Sequence, residues 1–184
     1  MTQILGIAGS LRSGSLNRKL LAAARQLMPE GSELVQGEIR GVPLYDGDLE
    51  DEHGVPESVI TLNQQLEDAD GLILFSPEYN NSVPGVLKNA IDWMSRPVDG
   101  REHRFGGKPT VVVGATPGGF GTVLAQAAWL PVLRTLRTRP WFGQRLMVSR
   151  AHTVFAEDGS LKDEQLEKQL REFLEGFVEF ARES

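Results

Sequence analysis

The sequence, 184 residues long, contains no cysteine. This absence excludes disulfide bonds, thiolate metal sites and any chemistry carried out by a thiol. A chain of this length fits one compact domain, here residues 1–184, and is long enough to bury a substantial core. We therefore expect a single globular domain that folds without disulfides.

Long apolar runs are also lacking. No stretch of the sequence approaches the roughly 20 consecutive apolar residues that are needed to span a bilayer. The N-terminal residues have neither the basic region nor the long apolar stretch of a secretory signal. We therefore expect no membrane partner, and the cytoplasm is the simplest location.

Positive charge is scarce: 19 Lys and Arg stand against 25 Asp and Glu, which gives a formal net charge of −6. Surfaces that bind nucleic acid need clustered Lys and Arg to displace counterions. The densest basic stretch is spread over a predicted helix end and the strand after it, and we interpret it as ordinary surface charge. Its members are Arg134, Arg137, Arg139 and Arg145. No nucleic-acid partner is expected.

Short apolar strands alternate with amphipathic helices along the chain. Helices follow the strands, and residues 40–55, rich in glycine and acidic residues, are predicted to be irregular. Strands that are apolar throughout imply a parallel sheet with helices on both faces. Five strands in a chain of this length predict an α/β, flavodoxin-like doubly wound sheet with strand order 2-1-3-4-5. The strands are predicted at residues 4–8, 33–39, 71–75, 110–113 and 144–149.

The loop after the first strand, residues 9–17, has the composition of an anion site. It combines three serines with Arg12 and Asn17 at the start of a predicted helix. A helix N-terminus carries unpaired N–H donors and favours a phosphate, to which an arginine adds charge-assisted bonds. The alternative is a polar turn in which Ser15 caps the helix and nothing binds, but a cap does not need so many polar side chains.

The pattern of this loop narrows the phosphate ligand. It does not match the Gly-x-x-x-x-Gly-Lys-Ser/Thr loop of nucleotidases. It also does not match the Gly-x-Gly-x-x-Gly loop of dinucleotide sites, and no acidic residue ends the second strand to hold a ribose. A single terminal phosphate, as in flavin mononucleotide (FMN), fits better.

Two more loops follow strands that end at the same edge of the predicted sheet, where ligands bind in such folds. Residues 76–85 place Tyr79 and two amides between two prolines, which suits the edge and face of a flat heterocycle. Residues 116–121 contain three glycines that allow close backbone approach. The alternatives are a rigid turn for the first loop and a tight turn for the second, so the convergence of three loops is the stronger signal.

The motifs in these loops, taken together, resemble the NADPH-dependent FMN reductase family, which includes quinone, azo-dye and chromate reductases. The resemblance extends over nearly the whole chain, including Gly118-Gly119 and the turn at residues 155–159. Its motifs are Gly9-Ser10-Leu11-Arg12 with Ser15 and Asn17, then Pro77-Glu78-Tyr79-Asn80, and then the run Pro-Gly-Val-Leu-Lys-Asn-Ala-Ile-Asp-Trp at residues 84–93.

The resemblance implies roles for particular residues. Many relatives have an aromatic residue in place of Asn81, so this site is expected to be wider or more hydrated, whereas Thr116 in place of serine keeps the hydroxyl. The expected FMN contacts are Ser10, Arg12, Ser15, Leu16 and Asn17 at the phosphate, Pro77, Glu78, Tyr79 and Asn80 along the ring and ribityl chain, and Thr116, Gly118 and Gly119 at the other edge of the ring.

The resemblance also implies a ping-pong reaction. NADPH or NADH first reduces the bound flavin and leaves, and a small-molecule acceptor such as a quinone, azo compound, chromate or free flavin is then reduced at the same face. The cofactor carries this chemistry, so we predict no catalytic side chain and no metal ligand. Glu78 is interpreted as exposed or structural, and His103 and His152 as surface or loop residues.

Two rival functions stay open. A flavodoxin-type electron carrier binds FMN without oxidising NAD(P)H, and a flavin-free anion-binding module is colourless. Relatives of the reductase family are usually dimers or tetramers, so a homodimer or homotetramer is expected. Large apolar groups near elements that can pair support this expectation, the alternative being that they are core residues: Trp93, Trp129, Trp141 and Phe142.

Overall fold

The fold is taken from a computed structural model, which describes residues 1–98, 100 and 104–183. His103 lies outside the described residues. None of the described helices is long and apolar enough to cross a membrane. The elements in chain order are β1 Thr2–Ala8, α1 Leu16–Gln26, β2 Ser32–Gly37, α2 Gly47–His53, α3 Glu57–Asp68, β3 Gly71–Phe75, α4 Gly85–Met94, β4 Pro109–Ala115, α5 Val123–Thr135, β5 Arg139–Pro140, β6 Met147–Val148, a 3-10 turn Ala151–Thr153, and α6 Glu164–Arg182.

The sheet is parallel, with strand order β2-β1-β3-β4-β5, and β6 also pairs with β4. One core cluster packs α1 and α6 on one face of the sheet, and a second packs α3, α4 and α5 on the other. This arrangement confirms the predicted flavodoxin-like order and the helices on both faces. It arises because β1 and β3 are apolar on both faces and need cover from two layers.

The fifth strand differs from the prediction. One strand was expected at residues 144–149, but only β6 lies within that range. A second short strand, β5, precedes it, and the two pair with opposite ends of the same edge of β4. Between them, residues 142–145 leave the sheet because the Trp141 ring packs edge-on against Phe173 of α6, with ring centroids 5.1 Å apart. The chain then folds back over this ring at Gly143, where a Cβ atom would lie 2.6 Å from Trp141 Nε1.

The predicted irregular segment at residues 40–55 contains a helix, α2. Asp46 caps this helix by accepting a bond of 3.0 Å from the backbone N–H of Asp48. None of its residues is buried, so it has no apolar periodicity from which it could have been predicted. Side chains of α4 hold the start of this segment, since Asn89 Nδ2 and Trp93 Nε1 both donate to the carbonyl of Pro43.

Two of the aromatic residues expected near a subunit interface are in the core. Trp93 and Trp129 are fully buried within the chain, and the Trp129 indole N–H donates to Ser76 Oγ over 2.9 Å. Trp141 is partly buried, and Phe142 is 72% exposed. Of the four residues, Phe142 alone is exposed to a large extent, so the expectation for Trp93 and Trp129 was wrong.

Candidate functional site

Three loops lie side by side at the carboxyl edge of the sheet, as parallel strands require. The N–H of Gly9 donates to the carbonyl of Phe75 over 2.9 Å, and the N–H of Ser76 donates to that of Val113 over 2.8 Å. The Tyr79 hydroxyl lies 3.4 Å from Ser10 Oγ and joins the loops after β1 and β3. These contacts bring the three sequence-predicted segments into one site.

The loop after β1 ends in an open helix N-terminus. Ser15 is the N-cap of α1 and its Oγ accepts from the N–H of Arg18 over 3.2 Å, a cap that is compatible with either interpretation of this loop. Within the described structure, the N–H groups of Leu16 and Asn17 have no acceptor, as is usual in a first helical turn. Arg12 is exposed beside them, and no described residue bonds its side chain. The entrance to α1 therefore offers free donors and a cation.

Asn17 faces inward from this entrance. Its side chain is 2% exposed, and its amide forms two bonds of 2.9 Å with the backbone of Ala115 at the end of β4. The pair ties the start of α1 to the central sheet. The side-chain oxygen is thus occupied, and only the second Nδ2 hydrogen stays free for a ligand.

The loop after β3 forms a tight hairpin. Tyr79 and Ser82 exchange two backbone bonds of 3.1 and 3.0 Å, and between them Asn80 and Asn81 have φ angles of 49° and 60°. Both angles lie in the left-handed region, where asparagine is tolerated and a bulky side chain is strained, which accounts for Asn81 at this position. The hairpin leaves Tyr79 44% exposed at the site edge.

Glu78 points from this loop to another helix. Its Oε2 accepts from the N–H groups of Leu124 and Ala125, at 2.8 and 3.0 Å, in the first turn of α5. Pro77 beside it is buried, and a Cβ atom at Gly9 would lie 3.0 Å from the Pro77 ring. The carboxylate of Glu78 is therefore used to cap α5 and to fix the loop, in agreement with the structural interpretation of this residue.

The loop after β4 is supported from behind by a segment that sequence reasoning did not single out. The N–H of Arg150 donates to the carbonyl of Gly118 over 2.8 Å, and the N–H of Ala151 to that of Thr116 over 2.9 Å. Arg150 has φ 48° and is exposed at the same edge. The rule that placed the other loops would also have nominated the segment after the last strand. Gly119, by contrast, is exposed in open space.

A polar cluster outside the three loops fixes residues 43–50. Tyr45 and Arg96 both donate to the Glu50 carboxylate, at 2.9 Å for the hydroxyl and 2.8 Å for Arg96 Nε. Burial alone would raise the pKa of Glu50, but these two bonds outweigh it and lower that pKa. The bond to Glu50 is also the main cause that raises the pKa of Tyr45. The cluster is internally paired and serves structure.

The sequence model of the family described as NADPH-dependent FMN reductase matches residues 2–153. The chain belongs to the NADPH-dependent FMN reductase family. An NAD(P)H-dependent FMN reductase of Pseudomonas aeruginosa is 39% identical over 180 residues, which cover 98% of this chain and 95% of that protein. A 2-hydroxy-1,4-benzoquinone reductase of a Burkholderia species is 34% identical over 98% of this chain and 97% of its own length.

Solved structures agree with this assignment. The flavoenzyme NAD(P)H:(acceptor) oxidoreductase FerB of Paracoccus denitrificans has a TM-score of 0.87 and 35% identity, and the alignment covers 100% of this chain and 98% of that one. As a member of the NADPH-dependent FMN reductase family, the protein is an oxidoreductase that works with FMN and NAD(P)H. The predicted family, enzyme class and cofactors are thereby confirmed.

The described residues fit an FMN phosphate. A dianion needs several N–H or O–H donors and positive charge, and the α1 entrance has unpaired N–H groups of Leu16 and Asn17, the exposed hydroxyl of Ser13 and the guanidinium of Arg12. No described carboxylate bonds these groups. The fit rests on donors that the fold itself leaves unused.

Proposed function

We propose that the protein is an FMN-dependent NAD(P)H:quinone oxidoreductase whose cofactor phosphate binds at the entrance to α1. The observation that carries the proposal is the set of unused donors beside an unpaired Arg12 at the carboxyl edge of the sheet. The phosphate contacts are the five residues expected from the sequence: Ser10, Arg12, Ser15, Leu16 and Asn17.

The flavin ring is proposed to lie between the loops after β3 and β4. Tyr79 and Asn80 are exposed on one side and Gly118 and Gly119 on the other, so backbone and side chain both face this edge. Pro77 and Glu78 contribute mainly through the backbone, because the Glu78 carboxylate is bonded to α5. Thr116 Oγ1 accepts from the N–H of Gly118 over 3.3 Å and orients the second loop.

When bound, FMN supplies the hydride and electron chemistry of the reaction. The protein would bind and orient the cofactor, and Tyr79, Asn80 and Gly119 are exposed at the edge where a flat substrate would approach. The ping-pong order is part of the proposal, in which donor and acceptor would use the same exposed edge in turn. Quinones are the proposed acceptor class, in line with the benzoquinone reductase relative, and azo compounds, chromate and free flavin are further candidates.

Steady-state kinetics of the FMN-loaded protein test this proposal. NADPH or NADH and 1,4-benzoquinone are varied together, and a ping-pong enzyme gives parallel double-reciprocal lines. Intersecting lines would reject the shared face while keeping the reductase. A yellow, FMN-loaded preparation without NAD(P)H oxidation would instead identify an electron carrier of the flavodoxin type.

We also propose that the protein is at least a dimer that pairs near the candidate site. Leu44 is 82% exposed and Phe120 is 86% exposed, and Phe120 belongs to the loop after β4. Contact with a second copy of the chain would remove the apolar surface of these two side chains from water. Light scattering that gives the mass of one chain would contradict this. A single domain over residues 1–184 and a cytoplasmic location stay predictions.

A further inference from the structure

The interruption between β5 and β6 leaves a notch in the edge of the sheet. Thr110 and Gly114 of β4 are both paired there, since the N–H of Trp141 donates to the carbonyl of Thr110 and the N–H of Gly114 to that of Leu146. Between them, Val112 directs its N–H and C=O to the same side, because polar groups alternate along a parallel strand. No hydrogen bond joins Val112 to residues 141–146.

A cleft lies over this notch, between α5 and residues 140–145. Its volume is about 150 Å³, the size of an apolar cavity that holds a benzene ring. Its walls are mostly apolar and include Val112 of β4, Ala127 and Leu130 of α5, and Pro140 and Phe142 from β5 and the residue stretch after it. The lining shares no residue with the three loops of the candidate flavin site.

Polar groups in the cleft restrict what fits it. Arg145 lines the cleft, and no described residue forms an ion pair or hydrogen bond with its guanidinium. An exposed arginine beside an apolar slot favours a carboxylate at the rim. A hydroxyl both donates and accepts, so it suits the N–H and C=O of Val112, which have no partner in residues 141–146.

We propose that this cleft is a second binding site, separate from the flavin edge, for a monocyclic aromatic carboxylate that bears a hydroxyl group. The ring fills the space between α5 and residues 140–145, and the carboxylate pairs with Arg145. The first turn of α5 links the two sites, because Val123 and Gln126 line the cleft while Leu124 and Ala125 hold Glu78. An occupied cleft therefore contacts the helix that anchors the loop after β3.

The test uses FMN-loaded protein and 4-hydroxybenzoate as the probe, with benzoate and phenol for comparison, measured by calorimetry and by saturation-transfer NMR. We expect 4-hydroxybenzoate to bind most tightly and phenol most weakly. Arg145→Gln should lower the affinity for 4-hydroxybenzoate about fivefold, which corresponds to the loss of one partly screened charge pair. The affinity for phenol should not change. Ala127→Leu narrows the cleft and should weaken all three probes at least about tenfold.

Ala22→Leu is the matched control, because Ala22 is an exposed alanine on α1, away from the cleft. The Ala22→Leu variant should bind all three probes with the same affinities as the unmodified chain. Equal affinities for benzoate and phenol in every variant would reject the carboxylate site. A crystal soaked with 4-hydroxybenzoate that shows the probe at the flavin edge only, or the cleft covered by a second copy of the chain, would overturn the proposal altogether.

Discussion

Two helices of this protein start at the same edge of the sheet, and their first turns are satisfied in opposite ways. At α5, the N–H groups of Leu124 and Ala125 are bonded to the carboxylate of Glu78, which comes from a neighbouring loop. At α1, the cap is local, Ser15 bonds one N–H group, and Arg12 stands beside donors that have no partner. The fold thus fills one positive helix end with its own anion and leaves donors at the other unused, which is the basis of the proposed phosphate site.

The largest effect is expected from giving α1 an internal anion as well. Aspartate caps a helix about as well as serine, but Ser15 is 4% exposed, so the added charge should lower the free energy of unfolding by about 1–2 kcal/mol. A carboxylate a few ångström from a dianionic phosphate, at a partly solvent-exposed site, repels the phosphate by about 3–4 kcal/mol. FMN affinity, measured by quenching of flavin fluorescence, should fall more than about a hundredfold.

Ser58→Asp provides the control for this change, since Ser58 lies in the first turn of α3 and belongs to none of the three loops. It adds the same charge at a helix start and should leave FMN affinity unaltered. If Ser15→Asp binds FMN as tightly as the unmodified chain, the phosphate does not bind at α1.

Removal of the cation at the same entrance is expected to have the next largest effect. Arg12→Ala should weaken FMN binding by about 1.5–3 kcal/mol, the usual size of a hydrogen bond to a charged group. Arg25→Ala removes an exposed arginine from the last turn of the same helix and should have no effect. The same titration on apo protein measures both variants, and equal affinities would contradict a role for Arg12.

A substitution of Asn17 distinguishes structural support of the α1 entrance from direct binding of FMN. Because its amide bonds both backbone groups of buried Ala115, Asn17→Ala should lower the free energy of unfolding by about 1–3 kcal/mol. Its effect on FMN affinity should be smaller than that of Arg12→Ala. Urea denaturation measures the first quantity, with Gln26→Ala at the exposed end of α1 as the control. A stable variant that no longer binds FMN would reverse this assignment.

The counterpart at α5 is Glu78. Glu78→Ala leaves two helical N–H groups without a carboxylate, and the free energy of unfolding should fall by about 1–2 kcal/mol. Glu78→Gln keeps an acceptor and should lose about half of that. With benzoquinone as acceptor, kcat of the folded variant should stay close to that of the unmodified chain, because the carboxylate is bonded to α5 and is not directed at the proposed flavin edge. Glu179→Ala, exposed on α6, is the control, and a large loss of kcat at unchanged stability would make Glu78 a catalytic residue instead.

The two helix starts also show what sequence reasoning could and could not reach. Strand order and the three loops were predictable, since short apolar runs such as β3 end in glycine, serine or proline within a few residues. The residue types at α1 indicated an anion site for the same local reason. The cap of α5 was not predictable, because Glu78 and Leu124 are 46 positions apart. The break between β5 and β6 likewise depends on the contact of Trp141 with Phe173 on a distant helix.

The smallest effect on stability is expected from replacing Glu50, a carboxylate that is paired with side chains rather than with a helix end. Hydrogen bonds from Arg96 and Tyr45 outweigh burial and lower its pKa, so its stabilising contribution is complete at neutral pH and is lost as the pH falls through that lowered pKa. Arg96 is partly exposed and the pair is screened, so Glu50→Gln should lower the free energy of unfolding by about 0.5–1 kcal/mol at pH 7. The difference from the unmodified chain should shrink in urea titrations at progressively lower pH. Glu179→Gln should show no such trend, and a difference that grows toward acid would mean that Glu50 is not held in its charged form.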